Sequence, residues 1–262
     1  MEQGLEIGKG MERLSNKETR EAINAYASRG IPFVFLSSFS GENNIVCTPD
    51  HAVAHGFYLE MPGLINHNFP GMPDRPFEFS KTPMDQESYH EAFNYVKGQI
   101  HYGNSFLLNL TFPTPIKTNY SLKEIFLSSK ARFKLLLEDE LVVFSPERFV
   151  RIQGKHISAT PMKGTIDANV PGAHRLLSSD RKEDAEHNTI VDLIRNDLSV
   201  VASKVRVKRF KYIEKLKTNQ GELMQMSSEI TGQLQSDYAG RLGDLLFKLL
   251  PAGSICGAPK RK

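Results

Sequence analysis

Cysteine is scarce in this 262-residue chain. The two present, Cys47 and Cys256, lie far apart, which excludes a disulfide framework and a cysteine-based metal site. An excess of one charge is missing too. Lys and Arg number 33 against 30 Asp and Glu, a net +3, too slight to argue for nucleic acid, although the pI near 8.7 is compatible with an anionic ligand. No apolar run approaches the length of a membrane span. Met1 to Ser15 carries charges and glycines where a signal peptide needs an apolar core, so the expected compartment is the cytoplasm. Without a secretory signal, Asn109-Leu110-Thr111 and Asn119-Tyr120-Ser121 are read as chance matches to the glycosylation pattern. There is no internal repeat, no low-complexity segment and no Rossmann glycine fingerprint between a strand and a helix.

What remains is an ordinary globular composition, 40% hydrophobic and 24% charged, long enough for one large or two small domains. Residues 16–29 predict a short helix capped by Ser15 or Asn16 and stopped at Gly30-Ile31-Pro32. Phe33 to Ser38 and Ile45 to Thr48 read as paired strands around a Ser-Gly-Glu-Asn-Asn turn. Residues 62–86, rich in Pro and Gly, read as a loop with short extended pieces.

Met84 to Gly103 predicts an amphipathic helix with Asp85 as N-cap. Tyr89, Phe93, Val96 and Ile100 lie on one face, and Gly103 ends it. Ser105 to Thr111 predicts a strand in which Asn109 is the odd polar member. A buried Asn needs hydrogen-bond partners, so it is either structural glue or part of a site.

Leu122 to Phe133 predicts a helix, and Phe133–Leu137 with Leu141–Phe144 a hairpin. A second pair is Phe149–Gln153 with His156–Thr160. Arg181 to Val201 is a long helix with Ile190, Val191, Ile194 and Leu198 on its apolar face. Two long strands, Lys204–Leu216 and Leu223–Leu234, and a helix near Tyr238–Leu250 follow. Hairpin-like groups of strands separated by helices favour an α+β fold: mostly antiparallel β-sheets, packed as a sandwich with helices outside.

Four groups of residues have chemical potential. In Pro161-Met162-Lys163-Gly164-Thr165 a lysine sits between a fixed and a permissive backbone position, yet most loop lysines are merely solvated. Glu147 follows a proline between two apolar strands. There a partly desolvated carboxyl can act as a general acid, or it is an exposed turn glutamate. Glu183 and Glu186 share a helix face and suit Mg²⁺; the same acids in a first turn also simply favour the helix dipole. Gly253-Ser254 and Gly257-Ala258-Pro259-Lys260 make a glycine-punctuated loop without Walker spacing, whose backbone N–H groups could hold a carboxylate.

Six segments in order carry a resemblance. They are Gly103-Asn104-Ser105-Phe106-Leu107-Leu108-Asn109-Leu110, Ser145-Pro146-Glu147, Pro161 to Thr165, Lys182-Glu183-Asp184-Ala185-Glu186-His187, Ile190 to Leu198, and Pro251 to Lys260. Together they resemble the chorismate-utilising enzymes: anthranilate synthase component I, the isochorismate and salicylate synthases, and aminodeoxychorismate synthase component I. The resemblance covers about residues 84–262. It divides the chain into an N-terminal α+β portion, 1–83, and a chorismate-binding portion, 84–262, read as one continuous domain.

The lysine in Pro-x-Lys-Gly-Thr is the mark of the aminodeoxychorismate synthases; the other enzymes typically carry alanine there. The resemblance therefore implies amination of chorismate for p-aminobenzoate and folate, with Lys163 as nucleophile, Glu147 as acid, and Mg²⁺ on Glu183 and Glu186. Gly164, Thr165, Asn109, Gly253 and Ser254 would contact substrate, and a glutamine amidotransferase partner would supply ammonia. Leu107 occupies the place of the water-activating lysine of the isochorismate enzymes.

Three departures accompany the likeness. Gln225 stands where the family usually has a proton-shuttling His. The N-terminal tryptophan-binding signature is missing. The chain stops at Lys262, before the family's substrate-gripping arginine and second glutamate pair. The expectation is a fold incomplete at its C-terminus and a chain at best poorly active. Anthranilate synthase, or a non-catalytic remnant that binds only ligand or partner, are the competing readings.

Overall fold

The structure is a computed structural model describing residues 13–145, 147–218 and 221–260. Pro146 of the Ser145-Pro146-Glu147 motif and most of the stretch read as lacking a signal peptide, residues 1–12, lie outside the described residues, as do 219, 220, 261 and 262.

In chain order the elements are α1 (Asn16–Ser28), β1 (Val34–Ser37), β2 (Asn44–Cys47), α2 (Pro49–Val53), β3 (Phe57–Met61), β4 (Leu64–Ile65), β5 (Phe79–Lys81), α3 (Gln86–Tyr102), β6 (Ile116–Thr118), α4 (Leu122–Ser128), β7 (Lys134–Leu137) and β8 (Leu141–Phe144). There follow β9 (Arg151–Gln153), β10 (His156–Ala159), β11 (Met162–Asp167), α5 (Ala173–Ser179), α6 (Arg181–Ser199), β12 (Ser203–Thr218), β13 (Gly221–Gln233), α7 (Leu242–Leu249) and α8 (Gly253–Cys256). Every strand pair described is antiparallel, as the hairpin grouping predicts. No described helix is long and apolar enough to cross a membrane.

The chain falls into two compact units. The first comprises residues 1–84, 113–147 and 239–244; the second comprises 85–112, 148–238 and 245–262. In the first unit a four-stranded sheet runs β4-β3-β7-β8, and its core gathers Ile45, Cys47, Ala52, Phe57, Leu59 and Leu137. The α1 helix starts at Ser15 through a full capping box with Glu18.

The second unit is built on β13. One edge of β13 pairs with β12 along its length; the other pairs with β11 and then β10, with β9 beyond. Helix α6 lays Ile190, Val191, Ile194 and Leu198 against Ile157, Ala159, Ile230 and Leu234. Each such buried aliphatic contributes about 1.5–3 kcal/mol, so this face fixes the helix on the sheet. β12 pairs only with β13 among the described strands, and its outward Lys204, Arg206 and Lys208 suit an exposed edge.

Several expectations change. Phe106 to Leu110 does not form a strand; a single bridge, Leu107 with Ala258, holds it, because no described strand offers a continuous partner. The Lys163 segment is a strand and not a loop. The stretch after it contains α5, which lacks a side-chain cap and so gave no start signal. Helix α3 begins at Asp85 and ends at a left-handed Gly103 as predicted, yet buries none of its residues; Tyr89 meets Phe93 and Phe112.

Candidate functional site

Lys163 sits on β11 in a bulge. Met162 pairs with Ser227 and Thr165 with Gln225, so Lys163 and Gly164 together stand opposite Met226. The extra residue is accommodated by Gly164, whose φ of +77° suits glycine, and a methyl there would lie 3.0 Å from Leu177 Cδ1 and 3.2 Å from Glu183 Oε2. Glycine thus lets the strand pass directly beneath the first turn of α6. Lys163 is half-buried, and its ammonium has no hydrogen-bond or ion-pair partner among the described residues.

Helix α6 begins at Asp180, whose Oδ1 accepts from the backbone N–H of Lys182 at 2.9 Å and of Glu183 at 3.0 Å. That cap sets the first turn. Glu183 and Glu186, one turn apart, both reach the Lys182 ammonium: Oε1 of Glu186 at 3.4 Å and Oε1 of Glu183 at 3.9 Å. Glu186 first, then Glu183, holds the Lys182 amine above its ordinary range. The two carboxylates are only 25% and 34% exposed and converge on a cation. Among the described residues no third acid, His or Cys joins them. Two oxygen donors fit Mg²⁺, which keeps several waters of its own.

The other predicted residues are spread more widely. Glu147 ends the first unit, and its side chain is exposed, which matches the exposed turn glutamate of the two readings and not the partly desolvated carboxyl. Ser145, two residues earlier, has φ +38°, so the chain turns sharply out of β8 instead of running on into another strand. Thr165 is exposed, and its register partner Gln225 keeps a buried Oε1 with no partner among the described residues.

Asn109 is exposed, not buried. Its Nδ2 donates to the carbonyls of Ser254 at 2.9 Å and Ile255 at 2.8 Å, so it ties its own segment to α8. Gly253 and Ser254 open α8. Gly253 packs so closely on Leu193 and Asp197 that a methyl would sit 2.9 and 2.8 Å from them. Leu193 lies seven residues beyond Glu186, about 10 Å along the helix at 1.5 Å per residue. No described contact joins Ser254 to Lys163 or Glu183. The structure therefore places Gly164, the chain neighbour of Lys163, beside Glu183, and brings Asn109 to Ser254 as a separate pair.

Lys182 and Asp180 were not given roles by sequence reasoning. Asp180 was visible as an N-cap immediately before the helix; Lys182 becomes a cation between carboxylates only once i and i+4 are on one face. Lys260, which ends the glycine-punctuated loop, donates to Asp197 and to the Leu249 carbonyl.

A sequence profile described as chorismate binding enzyme matches residues 46–262. An uncharacterised PabA-like protein of Haemophilus influenzae is 45% identical over 242 residues, 92% of this chain and 74% of its own length. Aminodeoxychorismate synthase component 1 of Salmonella typhimurium is 31% identical over 69% of this chain and 41% of its own length, and anthranilate synthase components match at a similar level. Among solved structures, MenF, the menaquinone-specific isochorismate synthase of Escherichia coli, is similar with a TM-score of 0.65 at 15% identity, over 95% of this chain and 66% of that one. That last likeness establishes a common fold alone.

Proposed function

The chain belongs to the chorismate binding enzyme family, and from that premise we propose that it aminates chorismate to 4-amino-4-deoxychorismate, as an aminodeoxychorismate synthase component 1. One observation carries the choice within the family. The position between Met162 and Gly164 is a lysine, half-buried on a strand bulge, with its ammonium unengaged and its neighbour Gly164 in contact distance of Glu183. Overall identity does not separate amination from anthranilate formation; the lysine supports amination.

In this reading the Lys163 amine, after losing its proton, forms a bond to C2 of the ring as the C4–O bond breaks. Glu147 gives its proton to the departing hydroxyl, which leaves as water. Ammonia then bonds to C4 and the Lys163–C2 bond breaks; the new C4 ammonium returns a proton to Glu147, and the released amine regains its proton from solvent. A glutamine amidotransferase partner would supply the ammonia. Glu183 and Glu186 would hold Mg²⁺, which supplies charge neutralisation for a substrate carboxylate when bound. Gly164 keeps the strand close enough to α6 for substrate to meet both groups, and Thr165 presents a hydroxyl at the same edge.

The test is chorismate consumption with ammonium and Mg²⁺, comparing the wild type with Lys163→Ala. Turnover without pyruvate release, lost in the variant, is the expected result. Fluorescent anthranilate with stoichiometric pyruvate would replace this reading with the anthranilate one. Absence of turnover in both proteins, with chorismate still bound, would favour a ligand-binding role.

A further inference from the structure

β13 has a bulge against it on each edge. On one side Lys163 and Gly164 face Met226. On the other, Arg209 pairs with Glu229 and Tyr212 with Ser227, so Phe210 and Lys211 together face Ser228. Ser228 joins the two sides. Its N–H donates to the Pro161 carbonyl at 3.1 Å, and its Oγ accepts from the Lys211 N–H at 2.9 Å. Ser228 is fully buried, as is His187 on α6, whose Nε2 lies 2.7 Å from the same Oγ.

Lys211 has φ +48°, a conformation that crowds a residue with a side chain. It is held there at both ends. Its N–H is bound by Ser228, and its Nζ pairs with Asp184, the residue following Glu183. The Phe210 ring meets His187 edge-on, 6.2 Å between centroids. The β12 bulge therefore grips α6 at residues 184 and 187. These are the residues that directly follow Glu183 and Glu186.

We propose that Lys211, through Asp184, is a positioning residue that fixes the rotation of the first turns of α6, so that Glu183 and Glu186 meet a divalent cation over the β11 bulge. The inference rests on the cation role given to those glutamates above. The apolar face at Ile190 to Leu198 seats the body of the helix, but it begins a turn beyond Glu186 and leaves the first turn to be held by polar contacts. Asp180 caps that turn from within its own chain segment; Lys211 ties it to the sheet.

The test is Mn²⁺ binding, followed by electron paramagnetic resonance of the free ion and by calorimetry, on the wild type and on Lys211→Met, Lys211→Arg and Asp184→Asn. The sign discriminates. Removing a nearby positive charge by itself tightens a cation site; losing the tether loosens it. Lys211→Met is expected to weaken Mn²⁺ binding at least threefold with an unchanged melting temperature. Lys211→Arg is expected to stay close to the wild type, and Lys211→Met combined with Asp184→Asn to be no weaker than the worse single variant. Unchanged or tighter binding in Lys211→Met overturns the proposal, as does a loss that follows a fall in melting temperature shared by Asp184→Asn. A wild type with no Mn²⁺ site overturns it together with the metal assignment, while Lys163-dependent consumption of chorismate would still stand for the amination reading.

Discussion

Lys260 and Asp197 form an ion pair, Nζ to Oδ1 at 3.2 Å, in which each side chain is only 14% exposed. The same ammonium donates to the Leu249 carbonyl at 2.6 Å. A lysine that closes a glycine-rich turn suggests a ligand contact from sequence; here it locks the turn after α8 to the C-terminal end of α6.

Removing one partner of such a pair strands the other in a poorly solvated place. Lys260→Met is therefore expected to lower stability by about 3 kcal/mol, measured by urea unfolding. Adding Asp197→Asn to that variant is expected to recover part of the loss, because the stranded charge is gone. A single variant as stable as the wild type would show the pair to be solvated in solution.

Gly164→Ala tests the strand passage beneath α6. The left-handed backbone alone costs a residue with a side chain about 1–2 kcal/mol. The added methyl also meets Glu183 Oε2 at 3.2 Å. Under the proposed function, kcat/KM for chorismate should fall by more than that stability loss accounts for, since the glutamate must move. Kinetics identical to the wild type would separate Gly164 from the site.

His67 gives a pH dependence in the first unit. Its ring stacks on Phe69 and meets Phe126 and Tyr58 edge-on, and its Nε2 lies 3.7 Å from Glu60, whose carboxylate is held at 2.6 Å by Lys134. Burial holds the His67 imidazole below its ordinary range; Lys134 and Lys123 push the same way, and Glu60 opposes. The unfolded chain thus binds a proton near pH 6.5 that the folded chain resists. Stability from this group is present above pH 6.5 and is lost as pH falls below it toward the depressed folded value. Urea midpoints measured from pH 7.5 down to 5 should show a slope that His67→Gln flattens. An unaltered slope would assign the acid sensitivity to another group.

Much of the fold was legible because it is written locally. Asp85 and Gly103 bound α3 through capping geometry that needs no distant partner. Leu141 returns to Leu137 around an acidic turn in which Asp139 takes φ +63°. The spacing of Ile190, Val191, Ile194 and Leu198 marked the face of α6 that is buried. Where a segment depends on a remote partner, sequence misled. Phe106 to Leu110 has the composition of a strand but only one bridge to Ala258. Asn109 looked like a buried polar residue and is an exposed clasp on α8. The apolar stripe of α3 is periodic, yet periodicity does not supply the surface that would cover it.

The sequence by itself determined family, the limits of α3 and the residue type at each candidate site position, because motifs, caps and glycines act through near neighbours along the chain. Only the tertiary structure decided that Lys163 lies on a bulged strand whose Gly164 passes beside Glu183, and that Lys211 reaches Asp184 from the opposite edge of β13. Strand register is the reason: it is set by pairing between segments some sixty residues apart in one case and neighbouring ones in the other, and a slip of one residue would turn each of these side chains to the other face.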